Sequence, residues 1–296
     1  MKEFDSCILC PHNCRVNRNK GERGFCQAGN ELVMAKAYLH KWEEPCLSGD
    51  VGSGTIFFSY CNMKCLFCQN YEISSLNVGK DVTIERFIEI CLELQDKGAL
   101  NINLVTPTHF VPLIAKGLRE AKKRGLVIPI VYNTSAYEKV ETLKMLDGLV
   151  DIYLPDLKYY SDEYAIKYSK APHYFEYASK AIDEMYRQVG KPMIRKGVMQ
   201  KGVIVRHLML PGMINDSKKI VAYLYSKYGD NIYMSLMNQY TPIKKLCYEE
   251  LNHKVSDMEY DELINYAYDL GVRKAFIQEG ETQCESFIPH FDMEGI

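Results

Sequence analysis

Gly54-Thr55-Ile56-Phe57-Phe58-Ser59-Tyr60-Cys61-Asn62-Met63-Lys64-Cys65-Leu66-Phe67-Cys68-Gln69-Asn70 joins a β-branched and aromatic run to three cysteines spaced C-x3-C-x2-C. The run predicts a strand over 55–60, entered through Gly54. Three thiolates on one tight loop can each hold a different iron of a four-iron cubane, which leaves one iron without a protein ligand. An open coordination position is what separates a catalytic metal centre from a closed structural one. The bland alternatives are a zinc knuckle or three thiols of the core.

Outward from this loop, strand-like and helix-like segments alternate. Further strands are expected at 101–106, 127–132, 149–154, 203–210, 231–236 and 274–278, short and apolar throughout, as parallel strands covered on both faces should be. Helices are expected at 83–97, with Ile84, Phe87, Ile88, Cys91 and Leu94 on one face and Gly98 as a stop. Two more fall at 216–228 and at 257–270, the latter opened by the capping pair Ser256 and Glu259. Residues 161–188 read as two helical pieces broken at Pro172. Six or seven such units imply an α/β fold: either an incomplete (β/α) barrel, since a full one needs eight, or an open doubly wound sheet. In either case right-handed crossovers bring the strand C-termini to one face, and with them the three-cysteine loop.

That face should also carry Thr106-Pro107-Thr108-His109, Asn133-Thr134-Ser135, Pro155-Asp156-Leu157-Lys158, Arg206-His207 and Asn238-Gln239-Tyr240. Any one of these could simply end a strand in solvent. Five groups converging on one face read as a binding site.

Residues 1–50 differ in character. Cys7, Cys10, Cys14 and Cys26 are spaced C-x2-C-x3-C-x11-C among Pro11, Gly21 and Gly24, with His12 and Cys46 as spare donors. This reads as a metal-stapled loop region whose four thiolates suit structural zinc or a second iron–sulfur cluster, with free buried thiols as the alternative. Residues 51–278 form the main domain, and 279–296 an acidic tail whose Phe287, Ile288 and Phe291 could fold over the barrel mouth.

Composition excludes several classes. A formal charge of −2 and the lack of a basic block argue against nucleic acid as a partner. No apolar run reaches the roughly 18 residues of a membrane span, and no signal peptide is expected. Eleven cysteines, an odd count, fit metal or redox chemistry in a reducing cytoplasm better than disulfides. Cys91 is expected in the core, and the pairs Tyr164/Tyr168 and Tyr174/Tyr177 in helix packing.

The C-x3-C-x2-C loop resembles the signature of the radical S-adenosylmethionine (SAM) enzymes. The resemblance implies the partial barrel, a (β/α)6-type radical SAM core, over the open sheet. It implies a [4Fe-4S] cluster on Cys61, Cys65 and Cys68 whose free iron chelates SAM, and an electron donor such as flavodoxin or ferredoxin. Phe67 stands where that family packs a ring against the adenine. Over residues 54–240 the pattern is similar to pyruvate formate-lyase activating enzymes: Cys68-Gln69-Asn70 resembles their Cys-His-Asn, Asp156-Leu157-Lys158 their Asp-x-Lys, and Arg206 with Leu210-Pro211-Gly212 their Arg strand ending in Val-Pro-Gly. These likenesses imply SAM contacts at Phe67, Asn70, His109, Asn133, Asp156, Lys158 and Arg206, and a glycyl radical enzyme as the partner. The chain departs from that pattern after its second strand, where Thr106-Pro107-Thr108-His109 replaces Gly-Gly-Glu. A radical SAM enzyme acting on another peptide or a small molecule, and a non-catalytic iron–sulfur or zinc sensor or assembly protein, are the rival functions.

Overall fold

The computed structural model describes residues 1–278 and 289–296. In chain order its strands are β1 (Leu32–His40), β2 (Ser53–Phe58), β3 (Lys80–Val82), β4 (Ile102–Val105), β5 (Ile130–Thr134), β6 (Ile152–Pro155), β7 (Met193–Arg195), β8 (Val198–Leu208), β9 (Tyr233–Met237) and β10 (Ala275–Ile277). Its helices are α1 (Pro45–Ser48), α2 (Tyr71–Ser74), α3 (Ile84–Asp96), α4 (Val111–Lys123), α5 (Val140–Leu143), α6 (Asp162–Ser169), α7 (Tyr174–Val189), α8 (Ile214–Tyr228) and α9 (Asp257–Leu270).

The sheet order is β10-β9-β8-β6-β5-β4-β2-β1-β3, with β2, β4, β5, β6, β8, β9 and β10 parallel. Along this parallel run the order never reverses. A doubly wound sheet must reverse at its switch point, so the monotonic order makes this a barrel wall. Among the described residues β10 and β3 end the sheet without meeting, and the barrel is partial.

All seven expected strands are present, and so are the expected helices, two of them with side-chain caps. Thr83 caps α3 through Oγ1, and Ser256 with Glu259 forms the capping box of α9. The break at Pro172 separates α6 from α7. On α3 the residues Phe87, Ile88, Cys91 and Leu94 are buried, Cys91 in the main core. Helix α4 comes close enough that a Cβ on Gly117 would lie 2.5 Å from the Phe87 ring, so only glycine fits there.

Three strands escaped the sequence. Residues 32–40, inside the segment read as a cysteine-rich loop, form β1, which pairs antiparallel with β2; β3 and β7 are three-residue additions at the margins. Cys46 also departs from expectation. It lies on α1 with Leu47, plugging the bottom of the barrel against Val131, Ile152, Leu154 and Ile204, and so cannot serve the N-terminal cysteines. Residues 289–296 run along β1: the Ala37 amide donates to the Glu294 carbonyl at 2.8 Å, and Lys36 Nζ pairs with Asp292 at 2.9 Å. Phe291 packs edge-on to Phe57, whereas Phe287 and Ile288 lie outside the described residues. Among the described residues no helix is long and apolar enough to cross a membrane.

One buried group in the wall titrates near neutrality. Thr108, Thr134 and Tyr132 all donate to Glu138 Oε1, at 2.6, 2.6 and 3.0 Å, while its Oε2 has no partner among the described residues. Burial pushes this carboxyl up to about 7, against the pull of the three hydroxyls. Between the ordinary carboxylate pKa and 7 the folded protein keeps a proton that the unfolded chain has lost, so stability falls as pH rises through that window. Glu138→Gln is expected to flatten this slope and to gain about 2 kcal/mol at pH 8 relative to pH 5. Urea unfolding at the two pH values measures it, and equal slopes in parent and variant would refute it.

Candidate functional site

The cluster loop leaves β2 through a sharp turn. Tyr60 has φ 70°, a left-handed conformation costly for a tyrosine, and Thr106 after β4 and Ala136 after β5 share it at 59° and 58°. Strain gathered at the C-terminal ends of neighbouring strands is characteristic of sites where geometry matters more than local stability. The loop is held from several sides. The Lys64 and Leu66 amides donate to the Ser169 and Tyr168 carbonyls at the end of α6, and Asn62 Nδ2 donates to the Tyr137 carbonyl at 2.6 Å.

Each of the three sulfurs accepts one hydrogen bond: Cys61 from the Met63 amide at 3.3 Å, Cys65 from Ser169 Oγ at 3.0 Å and Cys68 from Ser74 Oγ at 3.3 Å. Burial raises the Cys61 thiol, and it pushes Cys65 up to about 11 even though Lys158 beside it works the other way. Such thiols give up their protons only to a strong Lewis acid, which an iron corner supplies. Three thiols on one turn can hold three corners of a polynuclear cluster, each on its own iron.

All three cysteines line one cavity of about 660 Å³ inside the barrel mouth, together with Phe67, Asn70, Asn133, Asp156, Lys158 and Arg206. Every residue that the sequence nominated for the SAM site is thus brought together, except His109. Lys158 Nζ lies 2.7 Å from Asp156 Oδ2, and both are largely buried. Burial opposes the charge on Lys158, but Asp156 and the nearby Cys65 and Cys68 outweigh it and hold the pKa above the ordinary lysine value. A permanent cation therefore faces the cavity beside the sulfurs. Tyr174, which the sequence marked only for helix packing, ties these strand ends together. Its hydroxyl accepts from the Lys158 amide at 3.0 Å and donates to the Ser135 carbonyl at 2.8 Å.

Arg206 reaches the cavity wall, but its guanidinium is already engaged. Nε and Nη2 donate to Glu44 at 2.8 and 2.7 Å, and Nη2 also meets Glu43. Burial opposes its charge and the two carboxylates restore it, while Glu44, likewise buried, is held below the usual carboxylate range by Arg206. The sequence missed both acids. Glu43-Glu44-Pro45 reads as a solvated turn, and nothing local reveals that α1 inserts into the barrel from below. His109 is a correction: it is buried outside the cavity, where its Nε2 donates to the Ser59 carbonyl at 2.8 Å. Of the groups standing in for Gly-Gly-Glu, Thr106 lines the cavity. His12, a spare donor from the sequence, stacks on Phe25 at 3.7 Å.

Comparison with known proteins adds the family. The profile of the radical SAM superfamily matches residues 55–224. An uncharacterized protein of Methanocaldococcus jannaschii is 31% identical over 277 residues, covering 89% of this chain and 75% of its own. The crystal structure of HydG, a maturase of the [FeFe]-hydrogenase, superposes with TM-score 0.52 at 15% identity, covering 79% of this chain and 53% of HydG. This likeness bears on the fold, and the chain spans about half of HydG's length. A domain of pyruvate-formate lyase-activating enzyme from Bacteroides vulgatus aligns with TM-score 0.42 at 16% identity, covering 57% of this chain and 92% of that domain.

Proposed function

The chain belongs to the radical SAM superfamily, and from that premise we propose that it reductively cleaves SAM at a [4Fe-4S] cluster held by Cys61, Cys65 and Cys68. The cluster and SAM together supply a 5′-deoxyadenosyl radical that takes a hydrogen atom from a substrate at the barrel mouth. The observation that carries this reading is the convergence of three thiols, a buried cation and two amides on one cavity. Lys158 suits the methionyl carboxylate, since a charge-assisted bond is strong where water is excluded. Asn70, Asn133 and Asp156 offer partners for ribose hydroxyls, and Phe67 offers an apolar face for the adenine. Thr106 offers an oxygen to the SAM ammonium in place of the missing glutamate. Arg206 supports the floor of the site and leaves the carboxylate to Lys158.

The substrate of this reading is a glycine in a loop of a glycyl radical enzyme, on the motif likeness to pyruvate formate-lyase activating enzymes. Another peptide or a small molecule uses the same cavity in the second version of the reading. A one-electron donor of the flavodoxin or ferredoxin class supplies the electron, in a reducing cytoplasm.

Anaerobically reconstituted protein, reduced with dithionite and given SAM, is expected to release 5′-deoxyadenosine, detected by chromatography. No product would leave a non-catalytic iron–sulfur protein as the better description. Lys158→Ala should weaken SAM binding at least about tenfold while iron content holds; unaltered binding removes Lys158 from the site.

A further inference from the structure

The four N-terminal cysteines are scattered over twenty residues, yet Cys7, Cys10, Cys14 and Cys26 all line one small pocket with His109 and Arg18. The backbone at Gly24 packs directly against one of them. A Cβ on Gly24 would sit 2.8 Å from both the Cβ and the Sγ of Cys14. The sulfurs receive donors: the Phe25 amide points to Cys14 Sγ at 3.3 Å, and Arg18 Nη1 lies 3.9 Å from Cys7 Sγ. Arg18 is fully buried and anchored by the Gly29 and His109 carbonyls, so its charge stays fixed beside the thiols.

His109 supplies an independent observation. It is 2% exposed and its Nε2 meets the Ser59 carbonyl. A carbonyl can only accept, so Nε2 carries the proton and Nδ1 holds a lone pair. That Nδ1 is a buried polar atom without a protein partner among the described residues. That lone pair is a polar atom on the wall of the four-thiol pocket, although a cluster closed by four thiolates takes no ligand from it.

Four thiolates suit tetrahedral zinc or the four corners of a cubane; what favours the cubane is where the pocket lies. It lies directly behind the catalytic loop: His109 bonds Ser59, and His12 Nε2 meets the Asn62 carbonyl at 2.9 Å, so the backbone from Ser59 to Asn62 is the wall between the two cysteine sets.

We propose that Cys7, Cys10, Cys14 and Cys26 hold a second four-iron cluster, closed by four thiolates, that relays electrons to the cluster in the barrel. Its relay role rests on the radical SAM reading. A reduced one-electron donor protein gives one electron to the outer cluster and is oxidised. The outer cluster passes that electron to the barrel cluster and returns to its oxidised state, and the electron is consumed in breaking the sulfonium–C5′ bond of SAM. With all four corners occupied, the outer cluster has no place for SAM.

The test uses two full-length variants reconstituted with iron and sulfide. Cys61→Ala/Cys65→Ala/Cys68→Ala should retain about four irons and four sulfides per chain, with a reduced-state electron paramagnetic resonance signal that SAM does not alter. Zinc alone, or neither metal nor sulfide, in this variant with parent-like circular dichroism overturns the second cluster. Cys10→Ala/Cys14→Ala should keep a SAM-responsive signal. Its rate of 5′-deoxyadenosine formation with a reduced flavodoxin, divided by its rate with dithionite, should fall at least about tenfold. An unchanged ratio overturns the relay. Loss of the SAM-responsive signal from the parent protein instead defeats the barrel reading, and the iron count of the first variant still decides the outer cluster.

Discussion

Arg206→Ala is expected to lower the unfolding free energy by about 3–5 kcal/mol, because it leaves two carboxylates in the barrel floor with no countercharge. Glu43 and Glu44 side chains are only 6% and 5% exposed, and Arg206 is their shared cation. Asn103 Nδ2 donates to Glu43 at 2.8 Å, which helps one carboxylate but cannot neutralise it. Arg206→Lys should fall in between, since an ammonium keeps the charge but loses the fork that grips Glu44 through two nitrogens. The combined variant Glu43→Gln/Glu44→Gln/Arg206→Met should recover most of the loss, because no uncompensated charge remains. Urea unfolding of the four proteins measures this. Were Arg206→Ala as stable as the parent while SAM binding collapsed, Arg206 would be a SAM contact, as its motif likeness implies, and the acid pair would be incidental.

That disagreement marks where the sequence stops being readable. The parallel strands were legible because each is a short apolar run between breakers, and the helices because their polar caps and stripes are local. The cysteine loop was legible because its chemistry needs three thiols at fixed spacing on one turn. Residues that matter through distant contacts were not. Glu43 and Glu44 act on Arg206 from 162 or more positions away, and Ser169 donates to Cys65 across 104 positions. Strand β1 was hidden for a different reason. The cysteine pattern drew the whole of residues 1–50 into one loop, although Leu-Val-Met-Ala at its centre is an ordinary buried strand sequence. His109 shows the opposite failure. Its place after β4 was right, but a 3-10 turn over Thr108–Phe110 swings it away from the cavity to the outer cysteines.

Cys65→Ala should abolish 5′-deoxyadenosine formation, a fall of at least about a thousandfold, because it strips one of three iron corners. The iron of the barrel cluster should fall with it. Ser169→Ala is the contrast that separates chemistry from packing. It keeps the thiol and removes only the hydroxyl that donates to Cys65 Sγ at 3.0 Å. Donors to cluster sulfurs stabilise the reduced, more negative state, so their loss makes reduction harder. This variant should therefore hold its iron, show a more negative reduction potential, and slow SAM cleavage by about two- to tenfold. Parent-like turnover in Cys65→Ala defeats the three-thiol site outright. Iron loss in Ser169→Ala as severe as in Cys65→Ala means that the serine builds the loop, since Tyr159 shares that hydroxyl at 2.7 Å and would lose its partner too. The potential of the iron-replete Ser169→Ala protein thus decides whether the α6 contact tunes the cluster or only holds its loop in place.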